Sequence, residues 1–218
     1  KAIYNYKKAL TLDPQMSESS NNLGVAFKDL GDIYHAANFY KKATQLEPKL
    51  SYVHSNRLFN LNFSSNYSLL TIFEQHLLFE KQFGDTTARI KWPLIRKKQP
   101  KLSLRIGYVS PDFHQHSVAY FFEPLLKHHN SKQIETFCYY NNVKVDSVTN
   151  RLMNLSDHWR SIYSEDDSSV VNMIRDDRID ILVDLAGHTG NNRLLVFAQK
   201  PAPIQITWLG YPNTTGLK

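Results

Sequence analysis

Two kinds of periodicity divide the sequence and predict its fold class, α followed by α/β: a helical repeat array and then a lobe built on a parallel sheet. First, a shift of 34 residues superposes residues 2–14 on residues 36–48. Second, from residue 102 onward, short runs rich in β-branched and aromatic residues alternate with helical stretches. Third, three of those runs empty into loops carrying histidine, asparagine and glycine, where an open α/β sheet binds its ligands.

Composition sets the outer limits. The 218 residues suffice for one large or two small domains, and a 42% hydrophobic fraction lets each bury a core. Eight glycines and nine prolines exclude fibrous and low-complexity classes. The net charge of +6 does not outline a nucleic-acid groove, because the basic residues are scattered. Only Arg96-Lys97-Lys98 with Lys101 cluster, and there they read as a solvated linker. The single cysteine, Cys138, lies in an apolar run and is expected to be a buried structural thiol, in keeping with a reducing compartment. Asp180 and Asp184 interrupt the longest apolar run, so no membrane span is expected. Lys1 opens no secretory signal but falls inside a repeat, so further repeat sequence is expected upstream.

The repeat comes first in the chain. Ala2, Tyr6, Lys7, Lys8, Ala9, Leu12 and Pro14 fall on Ala36, Tyr40, Lys41, Lys42, Ala43, Leu46 and Pro48. The full unit reads Leu23-Gly24-x-x-Phe27, Gly31, Ala36-x-x-x-Tyr40, Ala43 and Pro48, the skeleton of a tetratricopeptide repeat. Small residues at 24, 36 and 43 let two helices cross closely, larger ones fill the gaps, and Pro48 stops the second helix. Residues 1–14 are then a second helix, 17–48 one whole repeat, and 52–63 a degenerate capping helix. Ser68 can cap a further helix over 69–83, with Leu69, Ile72, Phe73, Leu77 and Phe83 at helical spacing and Gly84 at its end. Residues 1–84 therefore form the helical part, 85–101 a linker with Pro93 and Pro100, and 102–218 the α/β lobe. Asn22, with Asn56 at the equivalent place, could bond the backbone of an extended peptide or simply face water.

In the lobe, strands are expected over 102–109, 134–140, 159–163, 179–185 and 204–209. Helices are expected over 118–128 and 148–155, and from a cap at Ser168 or Ser169 to 175. Right-handed crossovers make this a Rossmann-like half domain. Neither G-x-G-x-x-G nor a Walker A sequence is present. The strand-end loops at 111–117, 187–192 and 210–216 bring Asp112, His114, His116 and His188 forward. Histidine suits proton transfer near neutral pH, which makes His116 and His188 the candidate catalytic pair. No metal is assigned, because His114 and His116 lack a supporting ligand set. Ser110 and Ser117 lack a nucleophile-elbow context, and the Asp166-Asp167 and Asp176-Asp177 pairs read as helix-flanking charges.

Three segments, RIGYVSPDFHQHSVAYF at 105–121, IDILVDLAGHTGNNRL at 179–194 and PAPIQITWLGYPNTTGL at 201–217, resemble the nucleocytoplasmic protein O-glycosyltransferases. In that family tetratricopeptide repeats precede a two-lobed GT-B catalytic region, and the order of parts here is similar. GHTGNN and GYPNTTG look closest to its SPINDLY-like branch. The resemblance implies inverting, metal-independent transfer of N-acetylglucosamine from UDP-GlcNAc to Ser/Thr hydroxyls of cytoplasmic or nuclear proteins. It implies no resident cofactor, and GDP-fucose as an alternative donor. It implies His116 as the histidine of the sugar and acceptor site. His188 would line the same cleft, at a position where the animal enzymes carry tyrosine. Asp112, Thr189, Asn191, Tyr211 and Thr214 are expected to bind substrate, and Asn22 and Asn56 to hold acceptor peptide. The family's nucleotide-holding second lobe would follow Lys218, so this stretch alone is expected to be an inactive fragment. An inactive repeat scaffold that binds partner peptides is the competing reading.

Overall fold

The computed structural model describes residues 1–84 and 103–218. The expected linker at 85–101 and the first residue of the expected strand at 102 lie outside the described residues. The chain forms two compact units: Lys1–Phe83 together with His188–Gly190, and Gly84–Gly187 together with Asn191–Lys218. His188–Gly190, expected in the α/β lobe, thus group with the helical part.

The helical unit contains α1 (Ala2–Leu12), α2 (Ser17–Asp29), α3 (Ile33–Leu46), α4 (Ser51–Leu61) and α5 (Leu69–Phe83). The repeat skeleton acts as its spacing requires. Ala36, Tyr40 and Ala43 are fully buried, and a Cβ added at Gly24 would stand 2.6 Å from the Tyr40 ring. Gly31 turns the chain between α2 and α3 at φ +80, a conformation glycine adopts without steric penalty. Asp32 then caps α3 by accepting from the His35 N–H at 3.1 Å. On α5 the buried positions are Ile72, His76 and Phe79, whereas Leu69, Phe73 and Leu77 stay exposed. One buried turn is built around a histidine, which hydropathy reads as polar.

The second unit is doubly wound. Its strands are β1 (Leu104–Ser110), β2 (Ile134–Tyr140), β3 (His158–Ser161), β4 (Ile181–Asp184) and β5 (Ile204–Thr207). They pair in parallel in the order β3-β2-β1-β4-β5. The helices are α6 (Ser117–Lys127), α7 (Ser147–Leu155), α8 (Asp167–Asp176) and the short α9 (Leu194–Ala198). Period-two alternation sorts the strand side chains onto two faces. Ile106, Tyr108, Cys138, Tyr140 and Val183 join one core with Val118, Phe122 and Leu152. Val109, Phe137, Tyr139 and Leu182 join the other with Val170, Ile174, Val196 and Phe197. Cys138 is fully buried, and burial pushes its thiol far above the usual range.

Local signals account for most boundaries. Asp166, rather than Ser168 or Ser169, caps α8 by accepting from the Ser169 N–H at 2.7 Å. Helix α9 was not expected: five residues are too few to show a helical period. Its place is held by Arg193, whose guanidinium reaches Asp167 at 2.9 Å and the Ile162 carbonyl at 2.7 Å.

Candidate functional site

The strand order reverses between β1 and β4, because the chain leaves β1 toward β2 on one side and returns to β4 on the other. At such a switch point the loops beyond the two strand ends diverge and leave a crevice, the usual ligand position in doubly wound sheets. The loop after β1 carries Asp112, His114 and His116. The Asp112 carboxylate faces both rings, with Oδ1 3.9 Å from His114 Nε2 and Oδ2 3.8 Å from His116 Nδ1. Burial raises the Asp112 pKa, while His116 and then His114 draw it back down. Among the described residues no three such side chains group as metal ligands.

His116 is the N-cap of α6, in extended conformation, and its Nδ1 accepts the Val118 N–H at 3.2 Å. That bond assigns the proton of the neutral ring to Nε2. The residue is exposed. To accept a proton at Nδ1 it must give up a long hydrogen bond worth about 1 kcal/mol.

His188, the second candidate, belongs to the helical unit. It is fully buried within the helical unit, hydrogen-bonded through Nδ1 to Ser55 Oγ at 3.0 Å. Its ring meets Phe79 edge-on at 4.7 Å and His76 at 5.3 Å. Its expected place lining a cleft is therefore corrected: a side chain boxed in by α4 and α5 holds structure, and solvent does not reach it. The sequence could not show this, because the packing partners lie more than a hundred positions away. Thr189 belongs to the same unit and is half-buried.

The other expected residues divide. Asn191 is exposed at φ +54, and its carbonyl accepts from Asn141 Nδ2 at 2.7 Å. Tyr211 is buried beneath Gly187, where an added Cβ would come 2.2 Å from the tyrosine Cβ. Its ring therefore fixes the β4 loop. Thr214 lines a cavity of about 190 Å³ with Asp184, Gln205 and Thr207. Asn56 donates to Asn21 Oδ1 at 2.9 Å, whereas Asn22 is half-buried, its amide unpaired among the described residues. Asn56, which the period aligns with Asn22, is thus held by Asn21 of the preceding repeat.

Two residues escaped sequence reasoning. Asp184, read only as a break in an apolar run, is buried at the end of β4 and collects three donors. They are the Ala186 and Gly187 N–H groups at 3.0 and 2.9 Å and the Thr207 hydroxyl at 2.7 Å. A carboxylate closing a β-branched strand was the available signal. Asn141 directly follows β2 and carried no signal beyond its type.

Comparison with known proteins agrees with this architecture. The profile described as glycosyl transferase family 41 matches residues 53–218, and a tetratricopeptide repeat profile matches 17–50. A tomato (Solanum lycopersicum) protein named probable UDP-N-acetylglucosamine–peptide N-acetylglucosaminyltransferase SPINDLY is 40% identical over 178 residues, covering 79% of this chain and 19% of the relative. A Caenorhabditis elegans UDP-N-acetylglucosamine–peptide N-acetylglucosaminyltransferase is 38% identical over 117 residues, 52% of this chain and 10% of its own. Among solved structures, a mutant Thermobaculum terrenum O-GlcNAc transferase superposes with a TM-score of 0.93 at 34% identity. That match covers 99% of this chain and 41% of the other. The chain spans about one fifth of the length of the SPINDLY relatives it matches. The helical repeat, the parallel sheet and the matched segment together place the chain in glycosyl transferase family 41.

Proposed function

We propose that the protein to which this chain belongs is a protein O-glycosyltransferase. It would move N-acetylglucosamine from UDP-GlcNAc to Ser or Thr hydroxyls with inversion and without a metal or resident cofactor. The observation that carries the reading is the reversal of strand order between β1 and β4, with Asp112 and His116 on the loop that follows β1, in a lobe of family 41. Such a transfer needs a group near the hydroxyl proton and fixed donors near the leaving diphosphate. His116 suits the first role: its ring is exposed, and one weak hydrogen bond separates its donor and acceptor tautomers. Asp112 Oδ2 lies 3.8 Å from its Nδ1.

The repeat supports a protein acceptor held in extended form, with Asn22 presenting an amide that no described residue occupies and Asn56 fixed by Asn21. Asn191 and Thr214 remain as substrate contacts at the lobe, and Tyr211 acts beneath them by holding Gly187. No described helix is long and apolar enough to cross a membrane. We place the reaction in the cytoplasm or nucleus, as the family resemblance implies.

GDP-fucose is the competing donor, favoured by the SPINDLY-like GHTGNN and GYPNTTG segments. The test is transfer of labelled sugar from each donor to a protein acceptor by the full-length protein, with and without a chelator. Incorporation from UDP-GlcNAc is expected, and incorporation from GDP-fucose alone would reassign the donor. Incorporation from neither would leave the repeat-scaffold reading. Replacement of His116 by Ala is expected to lower kcat by roughly 10²–10⁴-fold with the fold intact. Unchanged transfer would remove His116 from the chemistry.

A further inference from the structure

Two successive asparagines, Asn141 and Asn142, follow β2, and their side chains reach two different loops. Asn142 Nδ2 donates to the Pro111 carbonyl at 3.0 Å, in the loop that continues to Asp112, His114 and His116. Asn141 Nδ2 donates to the Asn191 carbonyl at 2.7 Å, in the loop after β4. The Asn141 N–H also bonds the Ser110 carbonyl at 3.0 Å, which extends β-type pairing just past the strand end. The two loops so joined flank the switch point.

The chemistry of Asn141 argues against a purely structural role. Its side chain is buried, 5% exposed, and its Oδ1 has no hydrogen-bond partner among the described residues. A half-satisfied amide in a desolvated position carries a penalty that an apolar residue of similar size would avoid. Its single side-chain bond fixes Asn191, which holds a left-handed φ of +54, a conformation that persists where surrounding contacts enforce it. We infer that Asn141, assisted by Asn142, is a positioning residue that ties the Asn191 loop to the His116 loop. It thereby sets the geometry of the crevice at the expense of local stability. This rests on the glycosyl-transfer reading for its consequence but not for its geometry.

Full-length protein with Asn141→Leu and, separately, the near-isosteric Asn141→Asp tests it. The carboxylate of the second variant cannot donate to the Asn191 carbonyl. Both variants are expected to lower kcat roughly 10- to 100-fold, through misplacement of the crevice groups. Asn141→Leu should leave Tm unchanged or raised, and backbone amide exchange around Asn191 should accelerate in both. Asn142→Ala should show a smaller loss of kcat. If Asn141→Leu keeps kcat within about twofold and exchange around Asn191 is unaltered, the inference is overturned. A fall in activity that only tracks a fall in Tm would overturn it equally, by making Asn141 structural. Wild-type protein inactive with both sugar donors would instead refute the transferase reading, while the exchange measurement still decides the positioning claim.

Discussion

At the scale of single residues, close approach and burial decide more than residue type. Gly210 sits where an added Cβ would lie 1.7 Å from the Leu185 carbonyl oxygen, next to Leu209 at φ +71. Backbone cannot yield there as a side-chain tip can. Gly210→Ala is expected to destabilise the fold by about 3 kcal/mol, read as a lower denaturation midpoint at unchanged slope. His76 gives a different test. It is fully buried, and burial lowers its pKa below the ordinary histidine value of 6.5, partly offset by the bond from Nδ1 to the Ile72 carbonyl. The unfolded chain therefore takes up this proton first as pH falls. Its contribution to stability is complete above pH 6.5 and declines below it. Thermal melts of wild type and His76→Phe between about pH 8 and 5 should show a steeper acid decline for wild type. Parallel curves would mean that the ring does not titrate on unfolding.

At the scale of elements, caps and crossings define what pattern alone leaves blurred. Helix α7 begins at Asp146, whose carboxylate accepts from the Val148 and Thr149 N–H groups at 3.0 Å each and from Gln115 N–H at 2.8 Å. These bonds, led by the one from Gln115, hold its pKa down to about 2. The stability they supply is present above the ordinary aspartate value of 3.8 and disappears as pH falls through about 2. Asp146→Ala should lower Tm at neutral pH, and its difference from wild type should close toward about pH 2. A difference that stays constant over that range would show that packing, and not the charged cap, is responsible. Some element boundaries were legible for the same reason: Ser68 starts and Pro48 stops a helix through local hydrogen bonding and backbone restriction, which sequence displays. The buried face of α5 was not legible, because His76 and Phe79 are selected by what packs on them. Nor was α9, whose Arg193 anchor depends on carbonyls of a distant turn.

At the scale of the whole molecule, the chain joins a tetratricopeptide repeat with a parallel-sheet lobe of family 41. If the repeat selects acceptors, Asn22→Ala should raise KM for protein acceptors about fivefold, the loss of one backbone hydrogen bond, with kcat and the donor KM unchanged. An equal change for a short acceptor peptide too small to reach the repeat would rule this out. The site divides along the same line. His116, Asp112 and Asn191 are candidates that the sequence itself offers, because a strand-end loop advertises its polar residues. His188 satisfied the same rule, yet the structure buries it against Ser55, His76 and Phe79.

The sequence by itself determined the fold class, the repeat with its close crossing at Gly24, and the set of loops at the sheet edge. Those features follow from period, residue size and backbone preference, which act between near neighbours in the chain. The tertiary fold alone settles that His188 is walled in, that Asp184 collects three donors and that Asn141 bonds the Asn191 carbonyl. Desolvation and hydrogen-bond pairing between distant segments govern those outcomes, and neither leaves a local trace in the order of residues.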